Sequence, residues 1–207
     1  EFLRRAEVIS SKTTKFNPDL VITRAEFIKY LVKINNREFK EKLTAKLPFE
    51  DTKNNAWYAS YFEEAIKMGI LSDREKNAYP FQKLTLSDAL KLVFHSRSIP
   101  IPTRWTGEIF YKDVKKNKKL APLFMRALEM ELVVPEKADH FGMYRQVTRG
   151  EAAQIIYKME LVTIAPVQLT KENALQEKMG NDLKLQKIQT TWELIKKNYV
   201  HPEKTDS

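Results

Sequence analysis

The chain has 207 residues, 43% apolar and 30% charged, a soluble globular mixture long enough to bury a core and unlike a disordered or membrane-spanning composition. Its 36 Lys plus Arg against 27 Asp plus Glu give a formal charge of +9, which favours encounter with polyanions such as nucleic acid, anionic lipid or acidic glycan. The absence of cysteine excludes a disulfide framework, thiolate catalysis and a Cys-based zinc site, and no apolar run approaches the roughly 20 residues of a membrane helix.

In chain order, residues 1–9 read as the end of a helix, and Ile22-Thr23-Arg24-Ala25-Glu26 opens a second one. Thr-x-x-acid is a capping box: the hydroxyl accepts from a first-turn N–H while the acid reaches back to the cap's own N–H. Phe27, Ile28, Leu31 and Val32 then recur at helical spacing. A Phe49-Glu50-Asp51 segment follows, with Tyr58, Tyr61, Phe62, Ala65 and Ile66 as one apolar face before the turn at Gly69-Ile70-Leu71. Leu84-Thr85-Leu86-Ser87-Asp88 is a second box, followed by Ala89, Val93 and Phe94. Tyr111-Lys112-Asp113 then repeats the Phe-x-Asp segment at an offset of 62, and Leu120, Phe124, Ala127 and Leu128 repeat the apolar face. Val147-Thr148-Arg149-Gly150-Glu151 is the third box, with Ala152, Ile155, Ile156 and Met159 behind it.

One register therefore explains three diverged copies, at about 1–34, 49–96 and 111–160, each a helix, an irregular loop and a capped helix. A lone helix pair cannot shield both its faces from water, so the expected fold class is all-α, with the copies packed around a shared core and the preceding segment partnering each capped helix. Residues 161–173, with Pro166 and little periodicity, are expected to be a loop-type linker, and 174–207 a helical segment that leads into a downstream module.

Phe49-Glu50-Asp51, Trp57-Tyr58, Ala65, Gly69-Ile70-Leu71 and the Thr-Arg-Ala-Glu box at 23–26 together resemble the S-layer homology (SLH) family, over about residues 1–160. The resemblance implies a three-lobed, pseudo-threefold helical domain that anchors an exported protein to a prokaryotic cell envelope, outside the cytoplasm. It also implies binding of cell-wall polysaccharide in grooves between copies, in many members an acidic secondary polymer with a pyruvylated terminal sugar. Carried over by position, the ligand-binding residues are Arg24, Asp51, Trp57, Asp113 and Arg149. A guanidinium fork suits a carboxylate, an indole face suits the apolar face of a sugar, and a carboxylate can accept sugar hydroxyls. Asp51 and Asp113 equally suit helix caps, and Trp57 equally suits core packing. The chain departs from the family pattern at Leu86, where Arg belongs, at Lys119, which aligns with Trp57, and at Glu131, where the turn has Gly in the second copy.

Other chemistries find no support. His95, His140 and His201 lack ligand spacing, no phosphate loop or nucleophile elbow occurs, and no aromatic-basic motif accompanies the positive charge, so neither metal, cofactor, enzyme site nor nucleic acid is expected. Lys115, Lys116, Lys118 and Lys119 form the densest basic cluster and read as a solvated loop. Residues 188–204 resemble the N-terminal helix of C-terminal processing serine proteases, which makes the targeting part of an envelope protease a rival reading. A protein-interaction scaffold that has lost sugar binding is the other.

Overall fold

Helix starts at three threonines organise the chain. In the computed structural model, residues 16–176 are described, with side chains described through residue 163. Among these, helices run over Arg24–Asn35 (α1), Ala59–Lys67 (α2), Leu86–Ser96 (α3), Lys112–Lys116 (α4), Ala121–Glu129 (α5) and Arg149–Gln176 (α6), and no strand occurs. The helix end expected at 1–9 and the likeness at 188–204 lie outside the described residues.

Each box threonine caps as its sequence implies. Thr23 Oγ1 accepts from Glu26 N at 3.3 Å, Thr85 Oγ1 from Asp88 N at 3.2 Å, and Thr148 Oγ1 from Glu151 N at 3.2 Å. The reciprocal half of the box forms only at α1, where Thr23 N donates to Glu26 Oε2 at 2.8 Å. Asp88, one methylene shorter, instead accepts from the Thr85 hydroxyl at 2.7 Å, and the Glu151 carboxylate is taken by Arg145.

The first helices of the second and third copies end alike. Ile70 N donates to Ala65 O and Gly69 N to Ile66 O; Leu132 N donates to Ala127 O and Glu131 N to Leu128 O. This is the Schellman pattern, which requires a left-handed residue after the cap, and Gly69 and Glu131 have φ of 71° and 54°.

The copies join through a closed ring of backbone bonds. Ile22 N donates to Val147 O, Val147 N to Leu84 O, and Leu84 N to Ile22 O, at 2.9–3.0 Å. Isolated antiparallel bridges repeat the arrangement: Thr23 with Lys83, Thr85 with Gln146, and Thr148 with Val21. Equivalent residues thus meet equivalent residues in cyclic order, which is the pseudo-threefold relation, and Ile22, Leu84 and Val147 are buried at its centre.

Helix pairing corrects one expectation. Among the described residues, α1 packs chiefly on α2 and α3 on α5, so these two capped helices are covered by the first helix of the following copy, and α3 is not covered chiefly by the segment before it. Amphipathic stripes state that a partner exists, but a shared core lets any copy provide it. A second correction concerns residues 161–173, whose backbone is helical and continues α6 to Gln176. That run holds no glycine, and Pro166 is its one strong helix breaker.

Candidate site in the grooves between copies

The closed ring brings the N-terminus of each capped helix against the loop before the next box. Arg24 N donates to Gln82 O, Leu86 N to Arg145 O and Arg149 N to Leu20 O, at 2.8–2.9 Å. The residue after each box threonine therefore faces the neighbouring copy, and three grooves arise at equivalent places.

Between the first and second copies, Arg24 is half-buried, with its Nε enclosed and without a partner. No ion pair or side-chain hydrogen bond engages its guanidinium among the described residues. Burial lowers its pKa, while the negative charges of Asp88, Glu75 and Asp51 oppose that shift. Trp57, of the second copy, lies beside α1 of the first. It is 50% exposed, lies edge-on to Tyr58 and Tyr61, and has Lys29 of α1 6.0 Å from its ring centre. The burial of that ammonium lowers the Lys29 pKa.

Asp51 and Asp113 have matching structural engagements. Asp51 accepts from Ala78 N at 2.8 Å and Tyr79 N at 2.7 Å; Asp113 accepts from Phe141 N and Gly142 N at 2.8 Å and from Met143 N at 3.3 Å. Both carboxylates fasten the loop before the following box, where Tyr79 and Gly142 adopt φ of 50° and 81°. Burial alone would raise the Asp113 pKa, but these amides and His140, 3.7 Å away, hold it down. The cap reading of these residues is thus close in kind, although the groups satisfied belong to a loop rather than to a helix start.

Between the third and first copies, Arg149 donates to Glu26 Oε1 at 3.3 Å and Tyr30 Oη at 3.4 Å, with its guanidinium carbon 5.4 Å from the Phe16 ring centre. Among the described residues no hydrogen bond or ion pair links Arg149 to Asp113 or Arg24 to Asp51. The groove between the second and third copies has Leu86, fully buried, at the arginine position. Arg145, whose backbone carbonyl accepts from Leu86 N, turns its guanidinium onto Glu151 of its own copy and grips both carboxylate oxygens, one at 2.6 Å. Sequence reasoning did not single out Arg145, although the aligned triplet Leu20, Gln82 and Arg145 carries an arginine at the one junction whose box lacks it.

Lys115, Lys116, Lys118 and Lys119 are solvent-exposed. Among the described residues no group of His, Asp and Glu could hold a metal ion, and no helix is long and apolar enough to cross a membrane.

The S-layer homology domain family matches residues 1–28, which include the first box and Arg24. An amylopullulanase of Thermoanaerobacterium thermosulfurigenes is 28% identical over 163 residues, and the exoglucanase XynX of Acetivibrio thermocellus 29% over 163 residues, each covering 76% of this chain. An endo-1,4-beta-xylanase A of Thermoanaerobacterium saccharolyticum is 31% identical over 86 residues, 41% of the chain. The chain spans only 8%, 14% and 7% of these relatives' lengths. The likeness of residues 188–204 to processing proteases draws no support from them.

Proposed function

We propose that this chain carries diverged S-layer homology repeats, non-catalytic anchoring modules of the prokaryotic cell surface, and that it holds its parent protein to the envelope by binding acidic cell-wall polysaccharide. The ligand in this reading is a secondary wall polymer whose carboxylates, such as those of pyruvylated sugars, meet the grooves between copies.

The observation that carries the reading is Arg24. A guanidinium removed from water without an ion pair is costly, and its stability here is lower than if Asp88 or Asp51 touched it. An anionic ligand would supply the missing partner through charge-assisted hydrogen bonds. Trp57, beside α1, offers an exposed indole for the apolar face of a sugar ring. Arg149 offers the second cation, already leaning on Glu26, and Asp51 and Asp113 contribute chiefly by holding the groove loops in place.

Co-sedimentation with purified cell walls, before and after acid extraction of the secondary polymer, tests this. The chain should pellet with intact walls and stay in solution with extracted ones. An Arg24→Ala, Arg149→Ala double variant should bind at least tenfold more weakly, since each lost charge-assisted contact is worth about 1.5 to 3 kcal/mol. Raising the salt concentration should weaken binding by screening exposed charges. Equal binding to extracted walls, or an unweakened double variant, refutes the reading and favours the scaffold alternative.

A further inference from the structure

The segment after Tyr111 has the same place in the third copy as residues 50–57 have in the second, but its charge is opposite. Residues 112–119 hold five lysines against one aspartate, where 50–57 hold one lysine against two acids. Asp51 and Asp113 fasten the following loop in both copies, so the fold itself does not call for the added lysines.

Local structure gathers these lysines on one face. α4 buries Val114, and Lys112, Lys115 and Lys116, at spacings of three and four, lie on the opposite side of its turn. Asn117 ends the helix: Leu120 N donates to its Oδ1 at 3.2 Å, and its Nδ2 donates to Tyr144 Oη at 2.7 Å. Both ends of that side chain are used, which holds the turn carrying Lys118 and Lys119 beside Tyr144. Asp113 turns away to the amides of residues 141–143. Among the described residues, only Lys112 of the five has an acidic partner, Asp139 at 2.6 Å. Four ammoniums are left to repel one another.

Two aromatic rings border the face, Tyr144 at 61% and Phe110 at 68% exposure. Tyr111, extended at φ −84° and ψ 122°, packs its ring edge-on against Phe141. Side chains alternate along extended backbone, so Phe110 before it lies on the outer side, as Lys112 after it does.

We propose that this face docks on an anionic phospholipid bilayer, with the lysines at headgroup phosphates and Phe110 and Tyr144 in the interfacial layer. Charge alone would suit any polyanion. The exposed rings select the membrane, because a dissolved polyphosphate gives an outward phenyl ring nothing to bury in, whereas the boundary of headgroups and acyl chains accepts aromatic side chains. Docking of this kind is peripheral and needs no spanning helix. It is independent of the wall-glycan reading, since it uses none of the residues assigned to the grooves.

The test is co-sedimentation of this chain with vesicles of phosphatidylcholine, alone or mixed equally with phosphatidylglycerol. The chain should pellet with the mixed vesicles only, and less as salt rises. Lys115→Gln, Lys116→Gln, Lys118→Gln and Lys119→Gln together should weaken binding by about a hundredfold or more, since each lysine at such a surface is worth roughly fivefold. Removing the same charge at four other exposed lysines, by Lys40→Gln, Lys42→Gln, Lys46→Gln and Lys53→Gln, should weaken it far less. Phe110→Ser should weaken it roughly threefold or more. Circular dichroism checks that each variant folds. Failure to bind the mixed vesicles overturns the proposal. So do equal losses in the two quadruple variants, because net charge would then account for the attraction. Vesicle binding unchanged by Phe110→Ser overturns it in favour of a dissolved polyanion, which titration with long-chain inorganic polyphosphate would then reveal.

Discussion

Glu131 holds a backbone conformation that its Cβ makes costly. At φ 54° it fills the place that Gly69 occupies at φ 71° in the preceding copy, and left-handed backbone costs an L-residue roughly 1–2 kcal/mol. Glu131→Gly should therefore stabilise the fold by about 1 kcal/mol, once the larger entropy of glycine in the unfolded chain is subtracted. Gly69→Ala should lose a similar amount, and from conformation alone, because a Cβ there would meet nothing within 4 Å. Urea denaturation of both variants checks the pair; shifts of the same sign would contradict it. Glu63 makes a second prediction at this scale. Burial alone would raise its pKa, but the Thr44 hydroxyl and amide and the Lys67 ammonium outweigh it and bring the group from 4.5 to about 2. A carboxyl whose folded pKa is depressed adds stability above its unfolded pKa and loses it as pH falls through the folded one. The window is therefore about pH 5 down to pH 2, and the contribution at neutral pH is on the order of 2 to 3 kcal/mol. Glu63→Gln should flatten acid unfolding in that window, read by circular dichroism against pH.

At the scale of elements, the caps decide where α1 and α3 begin, and their difference is measurable. Thr23 takes part in a reciprocal box, whereas Thr85 caps Asp88 N without a return bond to its own amide. Thr23→Ala and Thr85→Ala should each cost about 1 kcal/mol, since each loses a hydroxyl that caps an amide and meets the box acid, whereas Glu26→Ala should cost more than Asp88→Ala, because only Glu26 also accepts from its cap's own amide. Thermal unfolding of the variants would show the order, and a larger loss at Asp88 than at Glu26 would count against it. These starts were legible in the sequence because a cap is a local device: Thr, two residues and an acid say where a helix opens whatever surrounds it. The turns at Gly69 and Glu131 were legible for the same reason, by alignment of one with the other. Which helix covers which was not, since an apolar stripe on α1 fits the face of α2 as well as it would fit the preceding segment. The roles of Asp51 and Asp113 were half-legible. Their type and spacing announced a capping carboxylate, but its partners lie 27 to 30 residues onward, in a loop that only the closed fold brings back. Arg145 was hidden because its counterparts Leu20 and Gln82 carry no charge and its closeness to Leu86 comes through one backbone bond that only the closed fold makes.

The described repeats form a closed ring where most repeat proteins are open. A linear array of repeats can lose a terminal copy and keep the rest, since each unit contacts only its neighbours. Here the third copy bonds back to the first, so Ile22, Leu84 and Val147 each donate to one copy and accept from the other. Removing any donor leaves a buried carbonyl without its partner, and such a group costs about 1–3 kcal/mol. Breaking the ring anywhere should therefore weaken it everywhere. Val147→Pro deletes the N–H that binds Leu84 O, and it should speed amide exchange at Ile22 and Leu84 as well as in α6. In the wild type those three amides should exchange only through global opening, with free energies that agree within about 0.5 kcal/mol and equal the stability from denaturation. Exchange at Ile22 that stays slow in the variant would show that the copies open independently. That result would also bear on the grooves: Arg24 N and Arg149 N bond across the copies beside these amides, so a ring that fails as one unit would disturb both junctions together rather than one at a time.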